Sequence, residues 1–89
     1  AQPWIIHGFR GKKEVAQEYL KHGFYLSFGE HYQEESMRTV PLDKLFLETD
    51  ESSLSIESIY QKAAHTLGMS VEELARQISK NREKLMPGF

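Results

Sequence analysis

Leu45-Phe46-Leu47-Glu48-Thr49-Asp50 is the stretch on which the reading of this chain turns. It begins as an apolar run and ends in two acids, so a buried strand leads straight into polar chemistry. Side chains alternate along a strand, which puts Phe46, Glu48 and Asp50 on one face and Leu45, Leu47 and Thr49 on the other. Two earlier segments, Trp4 to His7 and Phe24 to Phe28, carry the same near-continuous apolar signature. Strands of that kind are buried on both faces, the habit of a parallel sheet covered by helices.

The segments between them read as crossovers. Val15, Ala16, Tyr19 and Leu20 form a stripe one turn apart, predicting a helix from about Lys12 to His22 with Gly23 as a left-handed cap. A short polar helix is expected over Gln33 to Val40, stopped by Pro41. Beyond the third strand, Ile56, Ile59, Tyr60, Ala63 and Leu67 repeat at helical spacing from a Ser-rich start to Gly68. Ser70 and Glu73 have capping-box spacing ahead of Val71, Leu74, Ala75 and Ile78, and the last helix is expected to run to about Lys80. The order is β-α-β-α-β-α-α, with strands starting at residues 4, 24 and 45. Three parallel strands alone leave two open edges, whereas a barrel of such units closes with about eight. The expected fold class is therefore α/β, with about three βα units forming part of a larger barrel.

Composition narrows the function. The chain has 89 residues, 13 acidic and 11 basic, with 39% hydrophobic residues. A mean hydropathy of −0.54 and a pI near 6.1 fit one packed domain or fragment across 1–89 and give no general attraction to polyanions. No cysteine is present, which removes disulfides, thiolate zinc sites and cysteine nucleophiles. Any metal ligands are His, Asp or Glu. The sequence has neither a membrane-length apolar run nor a signal-peptide start, so a cytoplasmic protein with no membrane partner is expected. Residue 1 is Ala and an apolar run starts at Pro3, so the chain reads as beginning inside a fold.

His7 ends the first strand and Asp50 follows the third, both at the strand ends where α/β barrels place their chemistry. Glu48, one layer beneath Asp50, requires either a basic partner or a histidine to bond. Arg10 and Lys12 follow His7 at a helix start and are candidates for a substrate phosphate, the plainer reading being a solvated helix end. His31, in the loop after the second strand, is a further candidate for substrate contact. His22 and His65 read as structural or surface residues, and Trp4, Phe9, Phe28 and Tyr60 as core aromatics.

These pieces, in this order, resemble the C-terminal part of the TatD-related family of metal-dependent hydrolases. The resemblance runs through Ile6-His7-Gly8-Phe9-Arg10-Gly11, His22 to Phe28, and Val40 to Asp50, then through Gly68 to Ala75, Asn81 and Phe89. It implies a (β/α)8 TIM barrel of which this chain is the C-terminal portion, the missing N-terminal half being a partner. It further implies one or two divalent metal ions (Mg, Zn or Mn) and hydrolysis of phosphodiesters, with DNA or a small phosphoester as substrate. His7 matches the His of the family's His-x-Phe motif and Asp50 the Asp of its Glu-Thr-Asp motif, so both are implied metal ligands, with Asp50 also a catalytic base for water. Glu48, one layer beneath, is a candidate to accept a bond from the far nitrogen of a liganding histidine and so fix its orientation, a structural ion pair being the equal alternative. The family's other ligands lie upstream of any residue here, and Glu51-Ser52-Ser53 replaces its usual Ala-Pro or Ser-Pro. Two other readings compete. One is a helix-turn-helix-like DNA-binding module over Ile59 to Ile78, opposed by Glu72 and Glu73 where bases and phosphates would lie. The other is a non-catalytic half-barrel that self-associates through its open strand edges.

Overall fold

The apolar segments form three parallel strands, β1 (Ile5–Ile6), β2 (Tyr25–Phe28) and β3 (Leu45–Leu47), in the order β1-β2-β3. The computed structural model describes residues 4–49 and 55–85. Register pairs Ile5 with Tyr25 and Ile6 with Leu26, then Leu26 with Leu45, Ser27 with Phe46 and Phe28 with Leu47. Paired residues share a face, so two sets emerge. Ile6, Leu26, Phe28, Leu45 and Leu47 point one way and join the core cluster. Ile5, Tyr25, Ser27 and Phe46 point the other way.

The crossovers are helical as expected. They are α1 (Lys13–Lys21), α2 (Glu34–Thr39), α3 (Ile56–Leu67) and α4 (Val71–Leu85). The helices pack in chain order, α1 on α2, α2 on α3 and α3 on α4, while α1 also meets β2 and α4 meets β3. Ala16, Met37, Ala63, Ala64, Leu74 and Ile78 close over Leu26, Phe28 and Leu45, which are fully buried. The helix ends obey local rules. Ser55 caps α3 by accepting from the Ser58 amide at 3.2 Å, and Gly68 ends it at φ +68°, where a Cβ would be strained. The capping box forms in both directions, Glu73 N–H to Ser70 Oγ and Ser70 N–H to Glu73 Oε1, each 3.1 Å.

Several expectations need correction. α4 runs to at least Leu85 instead of stopping near Lys80, because Asn81 anchors its last turns. Its buried amide donates to the carbonyls of Leu42 (2.8 Å) and Leu45 (2.9 Å) and accepts from Gln77, which ties the helix to a 3₁₀ turn at Leu42–Lys44 and the start of β3. Trp4 is no core aromatic, since 67% of it is exposed, and Val15 sits at the edge of its helical stripe, 47% exposed. Phe9 and Phe28 are core residues and Tyr60 is half-buried. The helix-turn-helix spacing of α3 and α4 serves the core: Leu74, Ile78 and Asn81 are buried, and Glu72 and Glu73 are exposed in the first turn. Among the described residues, no helix is long and apolar enough to cross a membrane.

Candidate metal centre

His7 leaves the C-terminal end of β1 in a tight turn. Gly8 adopts φ +60°, a left-handed conformation that a side chain would strain, and the next amide, Phe9 N–H, donates to Ser27 O at 2.9 Å. The ladder to β2 thus resumes beyond the turn, with Phe9 buried against Phe28 and Tyr19 in edge-to-face contacts. The imidazole between these anchors is held outward, its side chain 70% exposed.

Glu48 continues the line of β3, its N–H donating to Phe28 O at 2.9 Å. Its carboxylate reaches the His7 ring, with Oε1 accepting from Nδ1 at 3.1 Å. The Glu48 side chain is only 15% exposed, and no lysine or arginine among the described residues pairs with it. The choice left open by the sequence is thereby decided in favour of the histidine. Two strands that do not pair with each other are joined across β2 by this bond. This bond occupies Nδ1, and among the described residues Nε2 of His7 has no hydrogen-bond partner, which leaves it as the nitrogen that could face a divalent ion. One nitrogen donor beside a carboxylate fits a metal site in kind, although no group of three His, Asp or Glu side chains suited to a metal occurs among the described residues. Asp50, the expected second ligand and base, lies outside the described residues.

His7, Glu48, Ile5, Ser27 and Phe46 border one cavity of about 320 Å³. Its far wall is Leu47 with Ile56, Tyr60, Ile78 and Arg82 from α3 and α4, so the cavity runs along the free edge of β3. Burial raises the Tyr60 phenol above its ordinary pKa, with Arg82 acting in the opposite sense. Ser27 and Arg82 were not singled out by sequence. Ser27 had a signal, as the one polar residue of Tyr25–Phe28 and on the His7 face by alternation. Arg82 had none, because its position depends on how α4 docks.

The other candidates lie elsewhere. Arg10 and Lys12 are exposed and border no part of this cavity. Arg10 contributes a backbone carbonyl to Gln33 Nε2 at 2.9 Å, and Lys12 is the N-cap residue of α1 without a side-chain cap bond. The neighbouring Lys13 forms the local ion pair, 2.6 Å from Glu35, which lowers the Glu35 carboxyl and raises the lysine. His31 is exposed and 3.5 Å from the adjacent Glu30 carboxylate. His22 bonds Glu18 one turn back at 3.2 Å and His65 is exposed, in line with surface roles.

An imidazole at the C-terminal end of a parallel strand, above a sheet backed by helices, stands where α/β barrels place their functional residues. The chain belongs to the TatD related DNase family, whose model matches residues 1–87. Among its relatives is tatdn3-B of Xenopus laevis, provisionally named a deoxyribonuclease, 32% identical over 98% of this chain and 40% of that protein. Another is YabD of Bacillus subtilis, an uncharacterized protein named a metal-dependent hydrolase, 30% identical over 91% of this chain and 40% of that protein. The fold matches the crystal structure of a TatD family hydrolase from Entamoeba histolytica with a TM-score of 0.80 at 15% identity, covering 93% of this chain and 42% of that one. It likewise matches the TatD homolog YJJV of Escherichia coli, TM-score 0.81 at 19% identity, covering 92% and 39%. The chain therefore spans about two-fifths of the length of the relatives it matches.

Proposed function

We propose that this chain supplies the C-terminal three βα units of a (β/α)8 metal-dependent hydrolase that cleaves phosphodiester bonds, with DNA as the expected substrate. The observation that carries this reading is His7, exposed at a strand end with Nδ1 already bonded and Nε2 free, in a chain whose family is named for deoxyribonucleases. His7 and Asp50 are the ligands this chain offers to one or two divalent ions. The imidazole suits Zn and the carboxylate suits Mg and Mn, so all three stay candidates. A bound ion supplies positive charge to the phosphate and lowers the pKa of the attacking water. Asp50 would accept that water's proton, and Arg10, Lys12 and His31, exposed but outside the cavity that His7 borders, are offered to a more distant phosphate of the substrate.

The remaining ligands and strands come from the rest of the barrel. Support for this lies in the free edge of β3 among the described residues and the largely apolar cavity beside it, where the partly exposed Ile5, Phe46 and Ile56 offer apolar surface to further chain. A self-associating half-barrel uses the same edge, and it is separable by mass: it runs as a multiple of 10.3 kDa. The reading places the protein in the cytoplasm with 1–89 as one structural unit.

The test is metal titration of the purified whole protein with Mn²⁺ or Zn²⁺, together with cleavage of DNA and of a small phosphodiester. His7→Ala and Asp50→Ala are each expected to weaken metal binding by 10-fold or more, as an order of magnitude, and to lower cleavage in parallel. Unchanged metal affinity in both variants, or a wild type that binds no divalent ion, rejects the proposal.

A further inference from the structure

We propose that Glu48 is a positioning residue that selects the nitrogen His7 presents to a ligand, holding the ring as the Nδ1–H tautomer with Nε2 bare. This inference rests on the reading of His7 as a metal ligand and adds to it the group that prepares the ligand. A carboxylate is an acceptor only, so a bond at 3.1 Å between Glu48 Oε1 and His7 Nδ1 requires the proton on Nδ1 in the neutral ring. Nothing else among the described residues competes for that carboxylate, which is 15% exposed and has no basic side chain in ion-pair range. Held there without a cation, it has the imidazole as its one side-chain partner among the described residues.

The backbone around the pair is arranged for the same end. Phe9 N–H to Ser27 O fixes the chain beyond His7, and Glu48 N–H to Phe28 O fixes the other side, both at 2.9 Å. β2 lies between, and its chain continues into Gly29, where a Cβ would already stand 3.9 Å from Glu48 Cγ and a longer side chain would contend with the carboxylate. At Gly8 a Cβ would stand 3.6 Å from Glu48 Oε2. Two glycines thus flank the Glu48 side chain at ordinary contact distance. A mere structural ion pair needs none of this directionality, because a doubly protonated ring donates from either nitrogen.

The tautomer is read directly from the nitrogen chemical shifts of ¹⁵N-histidine-labelled, metal-stripped whole protein, at a pH where the spectrum shows the imidazole in its neutral form. The His7 signals are assigned by their loss in His7→Gln. Wild type is expected to show His7 protonated on Nδ1, with Nε2 bearing the lone pair. Glu48→Gln, whose amide can donate as well as accept, is expected to shift the ring toward Nε2–H and to weaken Mn²⁺ binding about 10- to 100-fold. Wild-type His7 found as the Nε2–H form overturns the proposal outright, whatever the variant does. So does a Glu48→Gln protein with the wild-type tautomer and metal affinity within about 2-fold. Should His7→Gln bind metal as tightly as wild type, the ligand assignment fails, while the tautomer measurement still stands or falls on Glu48 alone.

Discussion

On one face of the sheet Leu26, Phe28 and Leu45 are completely shut beneath the helices, while one residue along each strand Ser27, Phe46 and Glu48 border an open cavity. The two sets share a backbone, and strand alternation alone separates them. Their surroundings differ because the helices close over one face, whereas at the other Ile56, Tyr60, Ile78 and Arg82 of α3 and α4 form only one wall of the cavity. The closed face carries the packing, and the open face carries the proposed metal site. Substitutions that respect this division should have separable consequences, and those that do not would break it.

The largest effect is expected on the closed face. Phe28→Ala removes a fully buried ring that touches Phe9 and Tyr32, and should cost about 3–5 kcal/mol in denaturant unfolding. A loss under about 1 kcal/mol would show that the helices do not seal that face as described. Next comes the pin between α4 and β3. Asn81→Leu strands the Leu42 and Leu45 carbonyls and should cost about 2–3 kcal/mol, with amide exchange quickening first in the last turns of α4. Gly8→Ala sharpens the comparison from the open side. It forces a Cβ onto a left-handed residue, at about 1–2 kcal/mol, and should also weaken metal binding because it displaces the turn carrying His7. A stability loss without an affinity loss would mean that the turn does not position the ring.

The smallest effect concerns pH. Bonds from the Ser70 backbone and side chain hold the Glu73 carboxyl below its ordinary pKa. A carboxyl depressed by folding binds protons more weakly in the native state, so its contribution is fully present above the unfolded value of about 4.5 and fades as pH falls through the folded value. Thermal melts of wild type should therefore lose more stability than Glu73→Gln between about pH 5 and pH 2. Parallel curves would remove the capping box from the account of α4.

Features governed by near neighbours were legible in the sequence. The Ser70 and Glu73 box, the left-handed ends at Gly23 (φ +84°) and Gly68, and the common face of Phe46 and Glu48 all follow from spacing of a few residues. Partnership was less legible. The sequence allowed Glu48 either a base or a histidine, and only the sheet order, which sets β1 and β3 on either side of β2, brings His7 within reach. Helix propensity does continue past Lys80 through Arg82, Glu83, Lys84 and Leu85, but the apolar stripe used to bound α4 ends at Ile78 and the hydrogen bonds of Asn81 reach residues 36 and 39 positions away. Arg10, Lys12 and His31 were sound guesses by position along the chain, but loop torsions decide where such side chains project, and no periodicity encodes them.

The loop after β1 is held by its backbone: Gln33 and Ser36 of the α2 region donate to the carbonyls of Arg10 (2.9 Å) and Gly11 (2.6 Å). Its shape therefore depends little on which side chains it displays. In evolutionary terms, positions 10 and 12 are a rewritable label on a fixed frame, where charge can be gained, lost or inverted at almost no cost to folding. Divergence in what such a rim attracts can then proceed while the hinge at Gly8 and the bond from His7 to Glu48 stay as they are.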